Sequence, residues 1–258
     1  MSRLFNIAQP VYIELTLEFF ASYTYEKPRT ENPDFKNRET IQFRLGKKWH
    51  KWSVARLGRR LGIYSSEDID SELFTNIYKF ANDQQRANFW AQVAVGPPYE
   101  ARKAKASRLR DPLLRVLLQV MSHTICGRMD SAGNCPTPDL LFIYSLVTGV
   151  HVNLAARMAK FFIHSAGRTT SSEIHGGKYV TQLAYNLGIM KDDVVSGLTM
   201  VHAGGDVDMR SLRAMGLVVD TNNGPRLRGL NGEIWDLLPL LPQNEDVNMA
   251  EIEPPPHD

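Results

Sequence analysis

Apolar residues recur at helical spacing almost from the start of the chain. Pro10 suits the first position of a helix, where its missing N–H would have no partner in any case. Val11, Leu15 and Phe19 then repeat with Ile13, Leu17 and Phe20 beside them, and Glu14 and Glu18 share the opposite face. This pattern predicts a helix over VYIELTLEFFASY. The polar stretch Tyr25 to Thr40, with two prolines, reads as a loop. The period then shortens to two. Ile41 to Leu45 alternates apolar and polar, Gly46-Lys47 supplies a two-residue turn with glycine at its first central position, and Lys48 to Trp52 returns as a second strand. Ser53 caps the next helix, which turns Val54, Leu57, Leu61 and Tyr64 inward and Arg56, Arg59 and Arg60 outward. One or two further helices over 66–95 are anchored by Leu73, Ile77, Phe80, Phe89, Trp90 and Val93 and end at Gly96-Pro97-Pro98.

The centre of the chain is the most apolar. Asp111-Pro112 joins an N-cap to a first-turn proline, and LLRVLLQVMSHTI leaves almost no polar face, so a central buried helix is predicted there, ending at Gly127. Thr137-Pro138-Asp139 repeats the start signal before LLFIYSLVTG, and residues 152–165 form another helix. Two apolar helices joined by a short polar loop should pack antiparallel. Gly176-Gly177 makes a flexible turn before a helix with Val180, Leu183, Ala184 and Leu187 on one face. Asp192-Asp193 favours the start of the next helix, and a short one follows from Arg210 to Met215. Leu217 to Val219 reads as a strand, Asn223-Gly224 as its turn, and Pro225 confines the return strand to a sheet edge.

These elements predict a mainly α fold, a helical-bundle-like domain with one or two small β-hairpins and only minor α+β character. One domain should cover 1–232, with a subdivision point near 96–110. Residues 233–258 hold seven acidic residues, no basic ones and a proline run, and are expected to be a disordered tail. The longest uncharged stretch, Leu140 to Ala156, contains Gly149, His151 and Asn153, so it reads as buried helix and not as a membrane span. Two cysteines and an N-terminus without an apolar core indicate an intracellular protein, cytoplasmic or nuclear and not secreted.

Charge is unevenly spread. Residues 1–135 carry 21 Lys/Arg against 14 Asp/Glu, whereas 136–258 carry 9 against 14. Two runs are concentrated, Lys36 to Arg60 and Arg102 to Arg115. Such runs either meet phosphates or form a solvated helical face. Within them Lys47, Lys48, Trp49, Lys51, Trp52, Arg56, Arg59 and Arg60, with Arg102, Lys103, Lys105 and Arg108, are the candidate nucleic-acid contacts, because aromatic rings can stack bases while cations hold phosphates. The alternative is that the tryptophans pack on the following helix and the lysines blunt an exposed strand edge.

Catalytic signatures do not assemble. Asp192-Asp193 lacks the strand context of a polymerase metal site, Asp130-Ser131-Ala132-Gly133 has one residue too many for an aspartic protease loop, and His175-Gly176-Gly177 has no nucleophile elbow to serve. Gly177-Lys178 lacks the upstream glycine and following Ser/Thr of a phosphate loop, and Asp206-Val207-Asp208 reads as a capped loop. His123, Cys126, Cys135 and His151 have loose metal spacing, but His123 and Cys126 read as core, so no metal or cofactor is assigned.

LEFFASY (17–23), IQFRLG (41–46), SVARLGRRLGIYS (53–65), RDPLLRVLLQVMSHTICGR (110–128), TPDLLFIYSLV (137–147), GGKYVTQLAYNLGI (176–189) and SLRAMGLV (211–218) together resemble the open-reading-frame-one proteins of Athila-type plant LTR retrotransposons. The likeness covers roughly residues 11–220. It implies a gypsy-type LTR element as the source, and with no catalytic signature assembled the leading reading is a non-enzymatic structural or interaction protein, partnered by itself or by other retroelement proteins. The alternative function is a nucleic-acid-binding module using 36–60 and 101–115.

Overall fold

Alternation within Ile41 to Trp52 builds the hairpin that the rest of the N-terminal half surrounds. The computed structural model of the chain describes residues 7–26, 34–71, 74, 80, 82–124, 133–166, 176–201 and 209–235. Strand β3 (Thr40–Leu45) pairs antiparallel with β4 (Lys48–Ser53), and Ile41, Phe43 and Leu45 point inward, each fully buried. Both central turn residues take positive φ, Gly46 at 60° and Lys47 at 65°, so the turn is of type I′ and glycine supplies only half of what it needs. The Glu18 carboxylate accepts hydrogen bonds from the Gly46 and Lys47 amides at 2.9 and 2.8 Å.

Glu18 lies on α1 (Ile13–Ser22), which runs into β2 (Thr24–Glu26), and β2 pairs with the first half of β3 in the register Tyr25↔Ile41. This third strand falls at the start of the stretch expected to be loop. Its pairing, absent from local sequence, is what holds it. Beyond Gln42, β3 has no β2 neighbour. There α1 covers the edge, and Ser22 Oγ accepts from the Arg44 amide at 2.7 Å. The N-terminal helix also begins later than expected, because Val11–Tyr12 forms β1 and pairs antiparallel with β5 (Met200–Val201). Only Leu15, Thr16, Phe19 and Phe20 of α1 are buried, while Ile13 and Leu17, expected in the core, are exposed.

Helix α2 (Val54–Arg60) follows the hairpin, its cap residue Ser53 accepting from the Arg56 amide. The short α3 (Ser66–Asp70) carries a complete capping box between Ser65 and Asp68. Helix α4 (Asp83–Val93) buries Phe89 and Trp90. Helix α5 (Pro112–His123) begins at the Asp111 cap, and α6 (Thr137–Thr148) ends at Gly149 in the left-handed region. Helix α7 (Leu154–Ala166) has eight residues buried, and α5 has seven buried and none exposed among its described side chains, as expected of a buried helix, whereas α6 is exposed over 146–148. Helix α7 packs on α1, α2 and β2, whereas α6 packs on α5. The core continues from Phe162 through Phe19, 5.1 Å between ring centres, to Phe43 at 4.9 Å and Trp52 at 4.8 Å.

Helix α8 (Gly177–Asn186) starts after Gly176, and these glycines serve close packing instead of flexibility: a Cβ on Gly177 would lie 2.5 Å from the Val11 side chain. Short α9 (Asp192–Val195) carries Asp192 and Asp193 in its first turn. At the C-terminal end, α10 (Met209–Ala214) precedes a sheet of β6 (Val218–Thr221), β7 (Gly224–Arg228) and β8 (Ile234–Trp235) in that spatial order. The β6–β7 turn is Asn222-Asn223, one residue earlier than expected. Strand β7 is central and not an edge, yet β8 reaches only Leu227 and Arg228, so Pro225 meets no ladder on its other side. Leu212, Leu217, Val218 and Leu227 form a small separate core against Leu113 and Val116 of α5.

Among the described residues helix therefore accounts for 49% and strand for 18%, with three small antiparallel sheets. The fold is mixed α/β, which corrects the expectation of a mainly helical bundle with one or two hairpins. The strands missed, β1, β2, β5 and β8, are two or three residues long, too short to show a period. The end of the central helix at Gly127 and the acidic tail after Trp235 lie outside the described residues. No helix among the described residues is long and apolar enough to cross a membrane.

Removing the turn's carboxylate tests the role of Glu18. Glu18→Ala should cost about 2–3 kcal/mol in urea unfolding, as two charge-assisted bonds are lost. Glu26→Ala, at an exposed pair, should cost less than about 0.5 kcal/mol. Equal losses would refute the role given to Glu18.

Candidate nucleic-acid interface

The two tryptophans of β4 differ by three positions and so face opposite sides of the sheet. Trp52 is 3% exposed, opposite Ile41 in the ladder, and packs edge-on against Phe43. Trp49 is 61% exposed and lies across from Arg44 on the outer face. Arg44, which sequence reasoning left out, is fixed there by an ion pair of 3.0 Å to Glu18. Lys51 shares the outer face and pairs with Glu26 at 3.4 Å, while Lys47 and Lys48 at the hairpin tip are exposed.

Arg56 and Arg59 of α2 are exposed, and the Arg56 guanidinium lies 5.4 Å from the Trp52 ring centre. Arg60 belongs elsewhere. Its guanidinium donates to the Asn186 carbonyl at 3.1 Å and its own carbonyl accepts from the Asn186 amide, so it clasps α2 to the end of α8. Burial lowers its pKa, with Arg56 and Arg59 adding to the effect.

The second basic segment is not a free connector. Ala104, Ala106 and Leu109 are buried around a 3-10 turn (Ala106–Arg108), and backbone bonds tie Val95 to Arg108, Ala106 to Gly133 and Cys135 to Ala104. Lys103 pairs with Glu100 at 2.7 Å and Lys105 donates to Asn134 at 2.7 Å. Arg108 is half-buried and Arg102 exposed. This segment is anchored to α4 and the start of α6, whereas the hairpin is anchored to α1, and the α2 that follows it to the end of α8. Each is built into its own neighbourhood.

No family model, curated protein or solved structure matches the chain.

The other chemical candidates take structural places. Cys135 is fully buried, and its carbonyl accepts from Tyr99, whose phenol is pushed up to about 12, chiefly by burial. His151 is exposed. Cys126, His175, the Asp130-Ser131-Ala132 stretch and Asp206 to Asp208 lie outside the described residues, as does the side chain of His123. Among the described residues no group of three or more His, Cys, Asp and Glu is arranged to hold a metal ion. Glu39 is buried, hydrogen-bonded by the Tyr25 hydroxyl, and its second oxygen has no hydrogen-bond partner among the described residues.

His50 completes the neighbourhood of the hairpin. It stacks on Phe43 at 5.2 Å, and Nε2–H donates to the Leu45 carbonyl at 3.3 Å. Burial holds its pKa below the ordinary value, Arg56 and Lys48 push in the same direction, and the Leu45 bond opposes them. The unfolded chain therefore takes up this proton at a higher pH than the folded one, so His50 erodes stability as pH falls through about 6.5, until the folded-state pKa is passed. His50→Gln should flatten the drop in melting temperature between about pH 7.5 and pH 5.5. An unchanged profile would show that His50 does not contribute to it.

Proposed function

We propose that the chain is a non-enzymatic interaction protein, encoded by or derived from a plant gypsy-type LTR retrotransposon, and that its working surface is hairpin β3–β4 with α2, which takes nucleic acid. One observation carries the surface: Trp49 is presented to solvent while Trp52 is packed away. A large ring held exposed on a strand, next to the exposed Lys47 and Lys48 of the hairpin tip, combines a stacking plate with phosphate-binding cations, and the exposed Arg56 and Arg59 follow on α2. Packing on the following helix accounts for Trp52 alone. Arg60, Lys103 and Lys105 leave the interface because each has a structural partner. The non-enzymatic reading is supported by the structural places taken by Cys135, Gly177 and Asp192-Asp193. The retroelement origin is supported by the resemblance over residues 11–220, and long terminal repeats with polymerase genes in the flanking DNA would check it.

A second reading, association with itself or with other retroelement proteins, is favoured by the exposed apolar Ile13 and Leu17 of α1 beside Met200 and Val201 of β5. Sedimentation should then show an oligomer that Leu17→Asp disperses; a monomer at every concentration would discard it.

For the nucleic-acid reading, Trp49→Ala should weaken oligonucleotide binding about tenfold without moving the melting temperature, and affinity should fall steeply with salt. Absence of binding even at low salt would defeat the reading.

A further inference from the structure

We infer that the hairpin takes single-stranded in preference to duplex nucleic acid, one backbone following the β4–α2 side while a base lies on Trp49. The inference rests on the nucleic-acid reading above. Its basis is the one-sided placement of charge across the β2–β3–β4 sheet, with the unpaired cations at its β4 edge and the carboxylates on its β2 side. Lys47, Lys48, Arg56 and Arg59 have no ion-pair partner among the described residues. All four lie at the turn, on β4 or on the helix that continues it. By strand parity Lys48 shares the face of His50 and Trp52, and Arg56 lies 5.4 Å from the Trp52 ring centre, so both flank the β4 edge from the side opposite Trp49.

The opposite side is acidic. Glu26 on β2 is exposed and Glu18 on α1 is partly so, and these carboxylates hold Lys51 and Arg44, the two cations nearest the sheet's middle. Glu14 is exposed further along α1. A duplex carries two phosphate rows, about one charge per 1.7 Å of axis, and cannot lie over this face without bringing one row to the carboxylates. A single strand has one row. It can lay that row on the free cations and turn its bases across β4, where the Trp49 ring offers a face that only an unstacked base can use.

The test uses the full chain with labelled oligomers of about twelve nucleotides, oligo-dT, oligo-rU and a duplex of equal length, followed by fluorescence anisotropy. Single strands should bind about tenfold or more tightly than duplex. Trp49→Ala should remove most of that preference by weakening single-strand binding alone, and Trp49→Phe should restore it. Glu26→Gln should raise duplex affinity more than single-strand affinity. Stronger binding of dT or of rU would identify DNA or RNA as the better form of the same ligand, and either supports the inference. Duplex binding as tight as single-strand binding, or equal weakening of both by Trp49→Ala, would overturn it while leaving the nucleic-acid reading intact. No binding to any of the three would overturn both.

Discussion

Glu18 stands near the end of α1, where its two oxygens receive the amides of Gly46 and Lys47 and one of them also meets the Arg44 guanidinium. Lys47 is the only non-glycine residue at positive φ among the described residues, a conformation that costs a side-chain-bearing residue about 1–2 kcal/mol. Two hydrogen bonds to a carboxylate, each contributing about 1.5–3 kcal/mol where the group is shielded, exceed that cost. Glu18 keeps 19% of its side-chain exposure, so the shielding is substantial. The turn is thus set less by its own residues than by a helix that precedes it by almost thirty positions. Once the turn is fixed, the register of β4 follows. With the register fixed, Trp49 must face outward and Trp52 inward.

The inner face of the hairpin is secured by aromatic contacts that reach α7. Phe162 touches Phe19, Phe20 and Tyr23, and Phe19 passes the contact to Phe43, which meets both His50 and Trp52. The Tyr23 hydroxyl donates to the Ala159 carbonyl at 3.0 Å, so α1 is held to α7 by a polar bond as well. A platform backed in this way presents its outer side chains from a rigid element, which lowers the entropy lost when a partner orders them. The C-terminal sheet is attached differently. Arg115 of α5 is buried and donates to the Arg228 carbonyl at 2.5 Å, beside the small apolar cluster on Leu113 and Val116. A loosely apolar helix such as α5 can serve two cores because it has no wet face to keep free.

Much of this was legible in the sequence. The hairpin, the Ser53 and Asp111 caps, the ends at Gly149 and Gly216 and most of the helices rest on local signals, and local chemistry decides them. The short strands were not legible, since a two-residue strand exists only through its distant partner, as Val11 does through Val201. The same pairing explains why α1 begins late and why Ile13 is exposed: Ile13 N–H continues the ladder to the Thr199 carbonyl. Within the candidate interface, the split between Trp49 and Trp52 was available from parity alone, because positions an odd number apart on a strand face opposite ways. What parity cannot supply is the acidic side of the face, which comes from residues 18 and 26, remote in sequence from the hairpin.

Charge counted along the chain also overstated the basic surface. Lys36 to Arg60 holds nine basic residues and a single acid, yet Lys36, Arg44 and Lys51 are paired with Asp70, Glu18 and Glu26, and Arg60 is bound to Asn186. The acids come from outside the run, so a window on the sequence misses them. In Arg102 to Arg115 the loss is greater. Lys103, Lys105, Arg110 and Arg115 each meet a protein partner, and the alternation of these side chains with buried Ala104, Ala106 and Leu109 makes the segment a strap between α4 and α6. A basic run acts on an outside ligand only through the cations that the fold leaves unpaired. Here those cations gather at the tip and along the β4 edge of a single hairpin and on the helix that follows it, so the segment whose cations are less fully paired is also the one placed to meet a partner.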